Sequence, residues 1–262
     1  MEYSYQFTHA IVRKPAKSIN NGLRAVDIGK PNYDQMMLDH SDYVDALISA
    51  GAQIIELSQL EKYPDAQFVE DTALCLPEGV ILMRPGAPSR LGEVEEIAPK
   101  LRDLFKKVYK IEEPGHVEGG DILITGKEIL IGRSARTDKS GVSQLSEILT
   151  SMGYILREVF TPPEILHFKT DCSLLAPDEI LTTKRLQASG CFDGYKVINV
   201  ADGEEAAANA IRFNDYVIMP AGFPKTKVIL EDHGYSVKAI NNSECAKLDG
   251  GMSCLSLRAN LL

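Results

Sequence analysis

Four stretches of the 262-residue chain repeat one pattern: an apolar run, a break of turn-forming residues, a second apolar run and a polar stop. They are Thr72 to Gly86 (TALCLPEGVILMRPG), Asp121 to Ser134 (DILITGKEILIGRS), Asp171 to Arg185 (DCSLLAPDEILTTKR) and Asn209 to Gly222 (NAIRFNDYVIMPAG). Short apolar runs joined by Pro-Glu-Gly, Gly-Lys, Pro-Asp or Asn-Asp predict strand, turn, strand. Segments with helical periodicity follow, as in Gly92 to Lys107 and Gly141 to Met152, and each leads into a short strand candidate, Val108 to Ile111 and Leu156 to Phe160. The unit is therefore hairpin, helix, strand. A first copy starts at His9 to Arg13, uses a helix over Asp34 to Ala50 and ends in Gln53 to Leu57.

The last strand candidate, Met252 to Leu257, has no local partner and can pair with the first. Such a pairing closes a ring of five units, as propellers do when they unite their chain ends. The predicted fold is α/β: a five-bladed αβ propeller of pseudo-fivefold ββαβ units around a central pocket, with residues 1–262 as a single catalytic domain. The alternative is a two-domain α+β chain with coincidentally similar hairpins. In a closed ring the polar residues just before the inner strands converge: Asp71, Glu118 to Asp121, His167 to Asp171, Asn209 and Asp249.

Composition narrows the partners. A net charge of −9 argues against a nucleic-acid groove, which needs a basic stripe to neutralise phosphates. No window reaches the roughly 18 to 20 apolar residues of a membrane span, and MEYSYQFTHA lacks the regions of a signal peptide. The expectation is a soluble, cytoplasmic protein without membrane partners. Five cysteines, at 75, 172, 191, 245 and 254, lack CxxC spacing and suggest neither a disulfide framework nor a zinc site.

One of them suits nucleophilic chemistry. Cys254 lies in LDGGMSCLSL, where Asp-Gly-Gly gives a flexible approach and Ser-Cys enters an apolar strand. Most free cysteines are inert and buried, which fits Cys75 and Cys172 better. His167, in ILHFKTDCS, maps to the same rim as Cys254, and an imidazolium beside a thiol stabilises thiolate and can protonate a leaving amine. The ordinary alternative for His167 is a satisfied core histidine. Glu70, Asp71 and Glu118 suit a planar cation, because guanidinium presents a fork of donors to carboxylate oxygens. Binding Mg²⁺ or Ca²⁺, or acid/base work on sugars, would leave Cys254 and His167 without roles. For Asp121 and Asp249, turn and strand-cap chemistry is preferred. Arg90 and Arg136 follow second strands and can clamp an α-carboxylate, the alternative being solvated surface charge. Together these residues suggest a zwitterionic amino acid with a guanidinium tail.

The motifs NGL at 21 to 23, FVED at 68 to 71, RPGAPSR at 84 to 90, VEGGDIL at 117 to 123, SART at 134 to 137, LHFKT at 166 to 170 and DGGMSCLSLR at 249 to 258 span nearly the whole chain. In this ordered set the sequence resembles the dimethylarginine dimethylaminohydrolase family of the guanidino-group-modifying, or pentein, superfamily. The resemblance implies the same five-unit propeller. It also implies Cys254 as nucleophile, His167 as general acid and base, and Glu118 as the carboxylate orienting the guanidinium and His167. Glu70 and Asp71 would bind guanidinium nitrogens, Arg90 and Arg136 the substrate carboxylate, and Leu23, Asp65 and Phe68 would form the loop and wall around the amino acid. The implied reaction converts N-omega-methylated arginines to citrulline plus methylamine or dimethylamine through a thiouronium on Cys254, with no metal and no cofactor. The family's LHLK stretch is LHFK here.

Arginine or agmatine deimination and amidino transfer are the rival chemistries, and a non-catalytic methylarginine-binding regulatory protein is the non-enzymatic one. A paired Arg90 and Arg136 argues against agmatine, which lacks a carboxylate. Two further expectations are a homodimer and a lid formed by the Asn20 to Lys30 loop.

Overall fold

A computed structural model describes residues 4–261, so the expected domain bounds at Met1 and Leu262 lie outside the described residues. The first sheet joins β1 (His9–Arg13), reached through α1 (Tyr33–Ser49) by β2 (Gln53–Leu57), to a strand from the far end of the chain. The second contains β3 (Ala73–Leu76), β4 (Gly79–Leu82), α2 (Leu91–Leu104) and β5 (Val108–Lys110); the third β6 (Ile122–Ile124), β7 (Ile129–Arg133), α3 (Lys139–Ser151) and β8 (Leu156–Phe160). The fourth holds β9 (Cys172–Ala176), β10 (Glu179–Thr182), α4 (Lys184–Gln187) and β11 (Lys196–Asn199); the fifth β12 (Ile211–Phe213), β13 (Tyr216–Pro220), α5 (Pro224–Asp232) and β14 (Ser236–Ile240). The short α6 (Ser243–Ala246) precedes the terminal β15 (Leu257–Ala259).

Every sheet obeys one rule: the inner strand runs antiparallel to the middle one, and the outer strand, entered through the helix, runs parallel to it. In the first sheet the inner strand is β15, with Ile11 opposite Leu257, so the two chain ends share one blade as expected. The expected terminal strand is shifted, however. Residues Ser253–Leu255 form a 3-10 turn, and Cys254 stands just before the strand instead of inside it.

The continuous apolar runs follow from burial on both strand faces. On β1, Ile11 packs toward the second sheet while Ala10 and Val12 pack toward the fifth. On β7, Ile129 and Ile131 face the second sheet and Leu130 the fourth. The five resulting cores each join two neighbouring blades, and the last joins the fifth blade back to the first. Each buried Leu, Ile or Val contributes roughly 1.5–3 kcal/mol against its exposed state. Helices seal the outside: α2 brings Val94, Ile97 and Leu101, spaced three and four apart, against the second blade. Among the described residues no helix is long and apolar enough to cross a membrane.

A 3-10 turn precedes every inner strand: Val69–Thr72, Gly119–Asp121, Phe168–Thr170, Glu205–Ala208 and Ser253–Leu255. Neighbouring turns touch around the axis, and the last gap is closed by Asn209, whose Oδ1 accepts the Ser253 N–H at 3.0 Å. This ring of turns carries the polar residues that the repeats place at the strand starts.

Candidate active site

On one side of the ring lies a cavity of about 150 Å³, lined by Asp71, His167 and Cys254 from the turn regions, by Leu23 to Ala25 from the first loop, and by Asp65, Phe68, Arg90 and Arg136. Cys254 is partly accessible from it, and its Sγ receives the Gly251 N–H at 3.5 Å. Burial, and then the charges of Glu70 and Asp71, push the thiol up to about 11. Cys75 is pushed up to about 12 by burial, and burial also raises Cys172, as befits structural cysteines.

His167 Nε2 lies 2.6 Å from Glu118 Oε2. Burial alone would lower its pKa, but the charge of Asp71 and the bond to Glu118 outweigh it and hold the ring at about 9. The resting pair at neutral pH is thus an imidazolium and a neutral thiol. Glu118 is held below the usual carboxylate range: its burial opposes ionisation, but the His167 bond prevails. Its other oxygen takes the Gly86 N–H at 3.0 Å and the Ala87 N–H at 3.3 Å, and Arg136 stands 3.4 Å away. The side chain is fully buried and does not line the cavity. The orienting contact with His167 is made.

Asp71 accepts the Gly120 N–H at 2.9 Å and an Arg90 N–H at 2.6 Å. Burial would raise it, but His167 and Arg90 hold it down at about 2. Asp71, Glu118 and His167 bring one donor atom each within 4.8 Å of one another, a spacing that can hold a metal ion. Their oxygens are already engaged by N–H donors, and the imidazolium supplies the positive charge between them. Asp121 has the strand-cap role expected for it, accepting Phe168 N–H at 2.9 Å and so fixing the turn after His167.

Asp65 is buried and accepts the Leu23 N–H on both oxygens, at 3.0 and 3.2 Å. Gly22 makes that approach possible, because a Cβ there would stand 2.8 Å from Asp65 Oδ1. Asp249, at a positive φ of 57°, accepts the Ala25 N–H at 2.5 Å. Two carboxylates from different parts of the ring therefore hold the first loop over the cavity.

Two expected residues are placed differently. Glu70, next to Asp71, is turned away from the thiol pocket: Lys169 Nζ and Arg258 Nη2 each approach its Oε1 at 2.5 Å. It lines a separate cavity of about 90 Å³ that continues along the inner strands. Successive residues of a 3-10 turn point roughly 120° apart, so Glu70 and Asp71 serve opposite sides. Arg90 is neither a solvated charge nor a free clamp. Its Nε meets Glu93 at 3.1 Å, Nη2 meets the Phe68 carbonyl and Glu93 at 2.8 Å each, and Nη1 meets Asp71. Arg136 keeps exposure toward the cavity, with Glu118 as its ion-pair partner.

Buried Lys169 and half-buried Arg258, the cations against Glu70, lie inside the LHFKT and DGGMSCLSLR motifs without an assigned role, and Leu248 beside the cavity lies just before the second motif. A cation two residues after the histidine and another four after the cysteine, facing an acidic FVED, was the available signal.

An arginine deiminase family model matches residues 57–229. The N(G),N(G)-dimethylarginine dimethylaminohydrolase of Pseudomonas aeruginosa is 39% identical over 253 residues, covering 96% of this chain and 99% of its own. A solved structure of the P. aeruginosa enzyme, a cysteine-to-serine mutant complexed with citrulline, matches with a TM-score of 0.94 and 38% identity, covering 97% of this chain and all of the other. A dimethylarginine dimethylaminohydrolase with a histidine-to-glycine change, as an adduct with S-methyl-L-thiocitrulline, matches with a TM-score of 0.93 and 39% identity, covering 96% and 99%. With a fivefold blade repeat and near full-length likeness, the chain belongs to the dimethylarginine dimethylaminohydrolase family of the pentein superfamily.

Proposed function

We propose that this protein hydrolyses N-omega-methylated arginines to citrulline and methylamine or dimethylamine, with residues 1–262 as one catalytic domain. The observation that carries this is His167, hydrogen-bonded to Glu118 and close to Asp71, in the pocket that contains Cys254. Cys254 is the nucleophile, His167 the general acid and base, and Glu118 the group that orients His167. Asp71 faces the guanidinium, Arg136 takes the substrate carboxylate, and Leu23, Asp65 and Phe68 form the wall around the amino acid. Arg90 contributes by fixing Asp71.

A cationic substrate against Asp71 offsets the carboxylate charge that keeps the thiol protonated, so the proton leaves Cys254 as the guanidinium binds. The thiolate adds to the guanidinium carbon. His167 then protonates the departing amine as the carbon–nitrogen bond breaks, leaving a thiouronium on sulfur. The neutral imidazole takes a proton from water, which attacks the same carbon. As the carbon–sulfur bond breaks, the proton of the new hydroxyl passes to the departing sulfur, which releases citrulline and restores the resting thiol. No step uses a metal or cofactor.

The protein acts on this small molecule without nucleic-acid or membrane partners, as a cytoplasmic homodimer, and the Asn20 to Lys30 loop is its lid. Citrulline release from arginine, monomethylarginine, asymmetric dimethylarginine and agmatine tests the assignment. Release from the methylated arginines with an equal amount of amine is expected. Turnover of arginine alone would make it a deiminase, and silence on all four would overturn hydrolysis.

A further inference from the structure

Cys254 sits on a short turn whose peptide groups are gripped by side chains from several blades. Tyr43 Oη donates to the Met252 carbonyl at 2.9 Å, Asn242 Nδ2 to the Gly250 carbonyl at 3.0 Å and Arg258 Nη1 to the Ser253 carbonyl at 3.1 Å. All three hold carbonyl groups. On the amide side the Cys245 carbonyl takes the Gly250 N–H at 2.9 Å, and Asn209 holds the two amides nearest the cysteine: its Oδ1 accepts the Ser253 N–H at 3.0 Å and its carbonyl accepts the Met252 N–H at 3.4 Å. Its amide also lies flat against Gly251, where a Cβ would come within 2.1 Å of Asn209 Cγ. Gly251 in turn directs its N–H at the Cys254 sulfur, 3.5 Å away.

Accepting that Cys254 is the nucleophile, we propose that Asn209 is a positioning residue for it, acting through Ser253 and Gly251 to set the thiol's place and its backbone donor. Asn209 is buried at the end of the fourth 3-10 turn, so it reaches in from the fifth blade, next to the first blade whose helix carries Tyr43, and closes the ring of turns at its final gap. A hydrogen bond from Gly251 N–H favours the thiolate over the thiol. Releasing the turn lets Sγ drift from the guanidinium carbon and from that donor. An asparagine gives this grip without adding a charge that would oppose thiolate formation.

The test compares Asn209→Ala, which removes the side-chain acceptor, with Asn209→Asp, which keeps the oxygen but adds a negative charge. Steady-state kinetics and the pH dependence of Cys254 alkylation by iodoacetamide are read beside thermal melting. N209A should lose about 10- to 100-fold in kcat with KM within about threefold, because displacement of a reacting atom costs turnover more than binding. Its alkylation midpoint should move to higher pH. N209D should retain the plateau kcat while its pH–rate curve moves alkaline. If N209A does not fold, Asn209→Ser, whose oxygen is too short to reach the Ser253 N–H, takes its place with the same expectation. Unchanged kcat and alkylation in N209A, or equal losses in N209A and N209D that track melting temperature, would overturn the proposal. Wild-type citrulline release tests the catalytic assignment separately, since only the ratio of variant to wild type reports on Asn209.

Discussion

Glu118 Oε2 and His167 Nε2 stand 2.6 Å apart, with the glutamate sealed from solvent and its second oxygen fixed by two backbone N–H groups. A carboxylate that cannot turn fixes the ring it holds, and its hydrogen bond joins the charge of Asp71 in keeping that ring protonated at neutral pH.

Glu118→Gln should therefore lower the His167 pKa from about 9 and cut turnover by about 10²-fold, the ordinary share of a general acid. The alkaline limb of the pH–rate profile should move to lower pH. Stability follows the same titration. A folded pKa above the unfolded value stabilises fully below about pH 6.5 and loses that contribution as pH rises through about 9. Melting temperature should fall across this window in the wild type and across a narrower one in E118Q. An unshifted limb would contradict the assigned roles.

Glu70→Gln should act on stability. With buried Lys169 and half-buried Arg258 left beside a neutral amide, denaturation should cost about 3–5 kcal/mol less, while KM stays within about twofold. Chemical denaturation and substrate titration read the two effects. A large rise in KM with unchanged stability would return Glu70 to the guanidinium.

Much of the architecture is legible in the sequence because turn residues interrupt apolar runs at equivalent places in each blade. Gly126-Lys127, Pro177-Asp178 and Asn214-Asp215 all fall between paired strands, and Asn214 adopts the positive φ that its type tolerates. The helix expected over Asp34 to Ala50 forms at Tyr33–Ser49, where Asn32 caps it. What the pattern does not carry is orientation within a three-residue turn. Glu70 and Asp71 are chemically alike and adjacent, and only the turn's pitch decides which one meets the pocket. Arg90 has the composition of a surface residue and is buried because Glu93 and Asp71 reach it from two directions. Lys169 is visible as a cation two residues after His167, but its pairing is not, since the partner lies 99 positions away.

Asp249→Gly, which keeps the left-handed backbone but removes the acceptor for Ala25, should loosen the first loop. KM should rise roughly three- to tenfold, the value of one partly exposed charge-assisted bond. Limited proteolysis should cut between Asn20 and Lys30 faster in the variant. Unchanged KM and cleavage would remove Asp249 as a latch and leave Asp65 as the hold on the loop.

The covalent step on Cys254 is tested most directly by rapid-quench mass spectrometry of the protein mixed with asymmetric dimethylarginine. An adduct should appear on the peptide containing Cys254 before citrulline accumulates, and Cys254→Ser should show neither adduct nor turnover while still binding substrate. Citrulline formation by C254S, or turnover in the wild type with that peptide unmodified, would contradict the thiol mechanism.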